Sequence, residues 1–324
     1  MARVRLTDDP DWSAVGRLTL VCLLPDGRVA LTPEGRVPGD RLAPGEHPLD
    51  ACLRIPLAQA GFRYQHFHPF ALDGGHLYGW VEGDVYHTPP VEPLVGTPAD
   101  VADVADPADA ALVAEAVADH RALPPEMWFR EGVRSMTRAY LAGTTPEQGS
   151  GFGRGAAAWR AARLEVADAV PRSGTFLDVG CANGHLAASV VDWCAERGLA
   201  VEPYGVDLAP DLVAEARRRL PHWADRFWVG NAVDWAHPEG RRFDVVHTLI
   251  DCVPAGLRRA MLDHSLAALV APGGRLVVSH YSAPAGGRTD DLLRGLGYEV
   301  GGFCPSHDRE RAAAGTAWIP APGG

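Results

Sequence analysis

The chain predicts an α+β first half followed by an α/β second half built on a mostly parallel sheet. Three observations carry this. Residues 175–186, TFLDVGCANGHL, run from an apolar stretch (Phe176, Leu177, Val179) through a turn with Gly180 and Gly184 into a helical pattern (Leu186, Val190, Val191, Cys194), which reads as strand, tight loop, helix. Residues 201–208, VEPYGVDL, form a second apolar stretch that ends in Asp207, 29 residues after Asp178. Far upstream, residues 17–24, the turn Pro25-Asp26-Gly27 and residues 28–31 read as a hairpin.

Each residue type in the second half has a chemical reason. Glycines in the loop let the backbone approach a ligand where a Cβ would clash. Asp178, at the strand end, can hold a polar ligand group. An acid closing the next strand, here Asp207, suits a ribose diol. Composition narrows the function further. All 30 basic residues are arginine and lysine is absent, which excludes a Schiff-base lysine and a Walker A loop. With abundant Ala, Gly and Pro it also points to a GC-rich bacterial genome. Residues 1–125 carry 18 acidic and 9 basic groups; residues 126–324 carry 23 and 21. Such a chain is repelled by a phosphate backbone, and no basic stripe with interleaved aromatics stands out, so nucleic acid is not the expected partner. Arg217–Arg219 reads as a solvated helix face. The six cysteines are scattered without a Cys-x-x-Cys pair, which predicts reduced thiols in a cytoplasmic protein and no zinc site. No apolar signal segment opens the chain and no stretch reaches membrane-spanning length, so no membrane partner is expected.

At residues 175–186 and Asp207 the chain resembles the class I S-adenosylmethionine-dependent methyltransferases, with Ala182 in place of the middle glycine of their first motif. Later signposts follow in order: GNAVDW (230–235), FDVVHTLI (243–250) and LVAPGGRLVVSHY (269–281). The resemblance covers residues 151 to 324 and implies a Rossmann-like, mostly parallel seven-stranded sheet with S-adenosylmethionine as cofactor. It implies that Asp178, Gly180 and Asn183 line the methionine part, that Asp207 takes the ribose hydroxyls, and that Leu208 packs on the adenine. Asn231, Ala232 and Val233 are implied at the adenine edge, and Thr248 beneath the sulfonium. Residues 149–159, GSGFGRGAAAW, read either as a lid whose Phe152 covers the cofactor or as a flexible linker. Residues 298–303 and 316–319 read as the antiparallel pair that ends the sheet.

The first half resembles a Nudix domain. Gly45-Glu46, Arg54 and Gly61-Phe62 fit that signature, but Ile55, Ala58 and Gln59 stand where its metal-binding glutamates belong. Isoleucine, alanine and glutamine cannot supply the charge that holds divalent cations. Pro56 is expected to kink the helix there or to mark a late start. The expectation is a Nudix-like domain without hydrolase activity over residues 1–125, serving substrate recognition, packing or dimerisation, with an ordinary α+β domain as the alternative. His66 and His68 share one strand face; without a nearby Cys or carboxylate to complete a metal set, ring packing is expected. A helix from about Pro107 with Asp106 or Asp109 near its start, a stop at Pro124-Pro125 and a helix over residues 126–140 lead into the second domain, residues 126–324.

Methyl transfer from a sulfonium is an in-line displacement, so the protein must align the acceptor and exclude water. In open parallel sheets ligands lie beyond the carboxyl ends of the strands. Acceptor-side candidates are therefore His247, Asp251, His280 and Tyr281, with His280 the candidate base. The leading expectation is a cytoplasmic enzyme methylating a small molecule of specialised metabolism. Two alternatives stand beside it. One is methylation of a nucleotide-linked metabolite whose phosphate is held by Arg36, Arg41 and Arg54. The other is a ligand-binding protein without catalysis.

Overall fold

The computed structural model describes residues 4–6, 10–85, 89–280, 287–308 and 315–321. Its contacts divide the chain into two compact units, Met1–Ser135 and Met136–Gly324. No helix among the described residues is long and apolar enough to cross a membrane.

In the first unit the strands β1 (Val4–Arg5), β2 (Arg17–Leu23), β3 (Val29–Leu31), β4 (Gly39–Arg41), β5 (Phe62–Asp73), β6 (His76–Val85) and β7 (Leu94–Gly96) form one sheet. The order is β1-β5-β6-β2-β3-β7, with β4 paired to β2. β2 and β6 run parallel; the remaining pairs are antiparallel. Four helices are described with it: α1 (Pro48–Ala60), α2 (Pro98–Val104), α3 (Pro107–Ala122) and α4 (Pro125–Leu141). Alternation along β2 supplies both cores. Leu18, Leu20 and Cys22 pack with Leu49, Cys52 and Ile55 of α1, while Val21 and Leu23 pack with Trp80, Leu112, Val113 and Ala116.

Pro56 does not kink or delay α1, which continues from Pro48 through it to Ala60. An internal proline costs about 3 kcal/mol. Burial of Leu49, Cys52, Ile55 and Pro56 on one helix face offsets that cost. Asp106 caps α3 through the amide of Ala108, and Asp109 in its first turn holds Arg36 at 2.6 Å. Helix α4 spans the position where the contacts change unit, at Ser135.

His66 and His68 pack as rings. His66 lies parallel to Trp128 with centroids 4.6 Å apart, and both imidazoles contact Trp80. The expectation that no carboxylate stands near is corrected: Asp119 lies 3.5 Å from His68 Nε2 and also accepts from Trp80 Nε1. Asp119 is some fifty residues away in sequence, so only the fold brings it in. Among the described residues no group of three or more His, Cys, Asp or Glu is placed to hold a metal.

The second unit opens with α5 (Gly155–Ala161) and α6 (Leu164–Asp168). Strands β8 (Gly174–Val179), β9 (Val201–Asp207), β10 (Phe227–Val229), β11 (Phe243–Leu249), β12 (Val270–Ser279), β13 (Gly302–Cys304) and β14 (Thr316–Pro320) then form the sheet β10-β9-β8-β11-β12-β14-β13. The first five run parallel, and β14 and β13 complete the sheet antiparallel. Helices α7 (His185–Ala195), α8 (Pro210–Arg219), α9 (Arg258–His264) and α10 (Thr289–Gly295) are interleaved with these strands. Phe176 and Val245 of the sheet pack with Leu186, Val190 and Trp193 of α7 and with Trp159 and Val166.

Burial holds His66 well below the ordinary imidazole value of 6.5, helped by His68, His120 and Arg134, and neither ring nitrogen has a hydrogen-bond partner among the described residues. The unfolded ring takes up a proton near 6.5 while the folded ring stays neutral, so stability falls as pH drops below that value. His66→Phe should remove about 1.4 kcal/mol per pH unit of that loss. Denaturant unfolding of both proteins over this range measures the difference.

Candidate cofactor and acceptor site

The loop after β8 is built from three residues in the left-handed region: Gly180 at φ 86°, Ala182 at 47° and Gly184 at 74°. Its amides are tied down. Gly180 and Cys181 donate to the carbonyl of Val206 at 2.8 and 3.1 Å, and Gly184 donates to Cys181 at 2.8 Å. Asp207, at the end of β9, accepts from the amide of Ala182 on one oxygen at 2.8 Å and from Ala209 on the other at 2.9 Å. It is buried. Desolvation raises its pKa, with Asp178 adding to the rise, and the backbone hydrogen bonds oppose it. The carboxylate has four lone pairs, more than its backbone donors Ala182, Ala209 and Leu208 take up, so it can still accept from a vicinal diol. Among the described residues a Cβ at Gly180 would meet only Cys252, at 3.8 Å, so they leave room for a ligand there. These features fit the cofactor implied by the sequence.

The side chain of Asn183 is mostly committed to protein. Its oxygen accepts from Ser150 Oγ at 2.6 Å and from the His185 amide at 3.1 Å, and its nitrogen donates to the Pro146 carbonyl at 2.9 Å. It therefore fastens residues 146–150 to the loop. Phe152 is likewise packed in the core, edge-on to Trp159 with centroids 5.5 Å apart and within cation–π distance of Arg154 and Arg163. The ring is thus held by its neighbours within residues 149–159 rather than left free in a linker. Thr248 is fully buried and touches Cys252 Sγ at 3.5 Å and Met261 Sδ at 3.8 Å. Asn231 accepts from the Val233 amide at 3.1 Å, which shapes the turn after β10; Leu208, Ala232 and Val233 are half-buried.

The acceptor-side candidates separate. His280, directly after β12, contacts Asp251 Oδ1 through Nε2 at 3.2 Å, and Arg258 reaches the same oxygen at 3.3 Å. This brings an imidazole and an orienting carboxylate to the carboxyl ends of β11 and β12. His247 does not join them. It is 1% exposed and lies between Asp178 Oδ1 (2.8 Å from Nδ1) and Ser279 Oγ (3.1 Å from Nε2), with Thr316 Oγ1 a further 2.7 Å on. With both nitrogens occupied in the sheet interior it cannot reach an acceptor. Tyr281 lies outside the described residues. Sequence reasoning missed Ser279, Thr316 and Arg258. Ser279, the polar residue ending the apolar run LVVS, was the one visible signal.

Residues 176–274 match the family model of a methyltransferase domain. A search of curated proteins returns no match. Among solved structures, the chain is similar to the glycopeptide N-methyltransferase MtfA, with 17% identity over 50% of this chain and 89% of that one (TM-score 0.38). It is also similar to an amino pentose methyltransferase from Micromonospora echinaspora involved in calicheamicin biosynthesis, with 30% identity over 40% of this chain and 56% of that one (TM-score 0.30). A third is magnesium protoporphyrin IX methyltransferase from Synechocystis PCC 6803, with 19% identity over 49% and 75% of the two chains (TM-score 0.35). The match to the methyltransferase-domain model lies wholly within the second unit.

Ala182 keeps a conformation that costs a non-glycine residue about 1–2 kcal/mol, while glycine costs roughly 0.5–1 kcal/mol in lost backbone freedom. Ala182→Gly should therefore raise stability by up to about 1 kcal/mol. Thermal unfolding of the two proteins checks the sign.

Proposed function

We propose that this chain methylates a small-molecule acceptor, with Asp207 holding the ribose diol of the cofactor, Asp178 its amino-acid end, and His280 acting as base. The observation that carries the reading is the double use of Asp207, which fixes the loop backbone through Ala182 and Ala209 and still has acceptor capacity for a diol. Gly180 leaves its ligand face open, and Asn231 shapes the turn assigned to the adenine edge, beside Leu208, Ala232 and Val233. Thr248 closes the floor together with Cys252 and Met261.

The cofactor supplies a methyl group already activated by a positive sulfur. The protein's share is alignment and proton removal. Asp251 Oδ1 lies 3.2 Å from His280 Nε2, and in this reading Nε2 carries the hydrogen that faces it, which leaves Nδ1 as the acceptor nitrogen of a neutral ring. That nitrogen takes the proton from an acceptor hydroxyl or ammonium as the methyl arrives. Arg258 shares the Asp251 oxygen at 3.3 Å and holds the carboxylate in place.

For the first unit we propose a Nudix-like fold without hydrolysis. Glu46, the signature acid that remains, is held by Arg54 at 2.8 Å and accepts from the Ala43 amide. Gln59, at a metal-glutamate position, accepts from the Gly39 amide through Oε1 and donates to the Gly39 carbonyl through Nε2. Ile55 is fully buried in the core. An open cleft of about 550 Å³, lined by Arg17, Thr19, Arg36, Gly39 and Gln59 among others, offers room for substrate recognition. The nucleotide-linked alternative loses support, because Arg36 is paired with Asp109 and Arg54 with Asp40 and Glu46. A cytoplasmic bacterial setting and specialised metabolism remain part of the proposal on composition, and dimerisation stays open as a role of this unit.

The test uses the full chain with methyl-labelled cofactor and a panel of hydroxyl and amine acceptors. Asp207→Ala should weaken S-adenosylhomocysteine binding by roughly a hundredfold or more, since two backbone donors lose a charged acceptor. His280→Gln should lower kcat by about 10²–10⁴ while leaving that affinity unchanged. Glu46→Ala should leave transfer intact and abolish no diphosphate hydrolysis. Label transfer that survives in the Asp207 variant would sink the site assignment.

A further inference from the structure

Four polar side chains form a line through the interior of the second sheet. Asp178, His247, Ser279 and Thr316 come one each from β8, β11, β12 and β14, which are neighbours in that order. Their contacts measure 2.8, 3.1 and 2.7 Å, and none of the four is more than 2% exposed. Around them the sheet is apolar, with Phe176 stacked 6.3 Å from His247 and Val245 and Val277 fully or nearly buried. Packing alone does not ask for such a line. Burying polar groups costs free energy even when they are paired, and an apolar set would fill the same space. Local rules broken in this way point to a functional demand.

The hydrogen positions follow from chemistry. A carboxylate only accepts, so His247 Nδ1 carries a hydrogen toward Asp178. In the neutral ring Nε2 then accepts from Ser279, and Ser279 accepts from Thr316. Every hydrogen points toward the carboxylate, so the bonds polarise one another in one direction. Among the described residues His247 is the only side chain that hydrogen-bonds Asp178. The orientation of that carboxylate, two residues before Gly180, therefore rests on the imidazole, and the imidazole rests on two strands beyond it.

We infer that His247 is a positioning residue of the cofactor site, which sets the Asp178 carboxylate for the amino-acid end of S-adenosylmethionine and is itself oriented by Ser279 and Thr316. This rests on the methyltransferase reading given above. It moves His247 from the acceptor side to the cofactor side, where it acts without touching the ligand. A supporting group on rigid strands suits a site that must hold a charged ligand group to a fraction of an ångström.

The experiment compares two ligands on the full chain by calorimetry. S-adenosylhomocysteine has the amino-acid end; 5′-methylthioadenosine shares its nucleoside but lacks that end. His247→Leu should weaken the first on the order of tenfold or more, the worth of a lost charged hydrogen bond, and change the second by less than about twofold. His247→Asn, whose amide nitrogen falls near the place of Nδ1, should restore the first to within about threefold. Should the Leu variant fail to fold, the Asn variant and Ser279→Ala carry the test, with Ser279→Ala showing a smaller loss confined to S-adenosylhomocysteine. Equal losses for both ligands, or no loss for either, overturn the inference and leave the methyltransferase reading standing. Wild-type protein that binds neither ligand overturns both.

Discussion

Asp207 holds the second unit's ligand end together. One of its oxygens takes the amide of Ala182 from the loop after β8, and the other takes the amide of Ala209 at the start of α8. The carboxylate is buried, and desolvation pushes its pKa upward. Those backbone donors are what make a charge tolerable there. They also hold Ala182 in a left-handed conformation that the residue would not choose. The strain, the buried charge and the shape of the loop form one arrangement. Removing the carboxylate releases all three.

The parallel sheet spreads this order to the carboxyl ends of β11 and β12. β8 and β11 are in register, Asp178 beside His247, and β11 and β12 carry Asp251 and His280 beyond their carboxyl ends. Below that surface the line from Asp178 to Thr316 crosses the sheet, while above it the His280–Asp251 pair meets Arg258. The two histidines are placed differently: His247 is sealed in the sheet beside Asp178, and His280 stands at its edge beside Asp251. In the first unit the same economy of charge has another outcome. Glu46, Arg54, Arg36 and Asp109 satisfy one another, and Gln59 joins two backbone segments.

Much of the second unit was legible in the chain. The apolar run before Gly180, the acid closing residues 201–208 and the apolar run LVVS of β12 all mark local structure, and local structure is what patterning records; the Pro-Gly-Gly expected as a turn ahead of that strand lies inside β12. The left-handed Ala182 was not legible, because alanine carries no signal for that conformation and the loop's amides impose it. His247 was placed on the acceptor side because strand-end position is visible in sequence while register is not; alternation puts it on the sheet face shared with Asp178. Pro56 looked like a helix breaker, yet burial on one face of α1 overrides the propensity. The rings of His66 and His68 were read as packing, but Asp119 beside them comes from a distant helix. Phe152 looked like a lid because glycines surround it, whereas Trp159 and two guanidinium groups take up its ring.

The most direct measurement is a calorimetric titration of the full wild-type chain with S-adenosylhomocysteine. The account predicts one binding site per chain with micromolar affinity, the range expected of a formed site that gains hydrogen bonds at Asp178 and Asp207. Absence of binding at millimolar ligand would contradict it, because the loop, the open face at Gly180 and the lone pairs of Asp207 would then serve some other molecule.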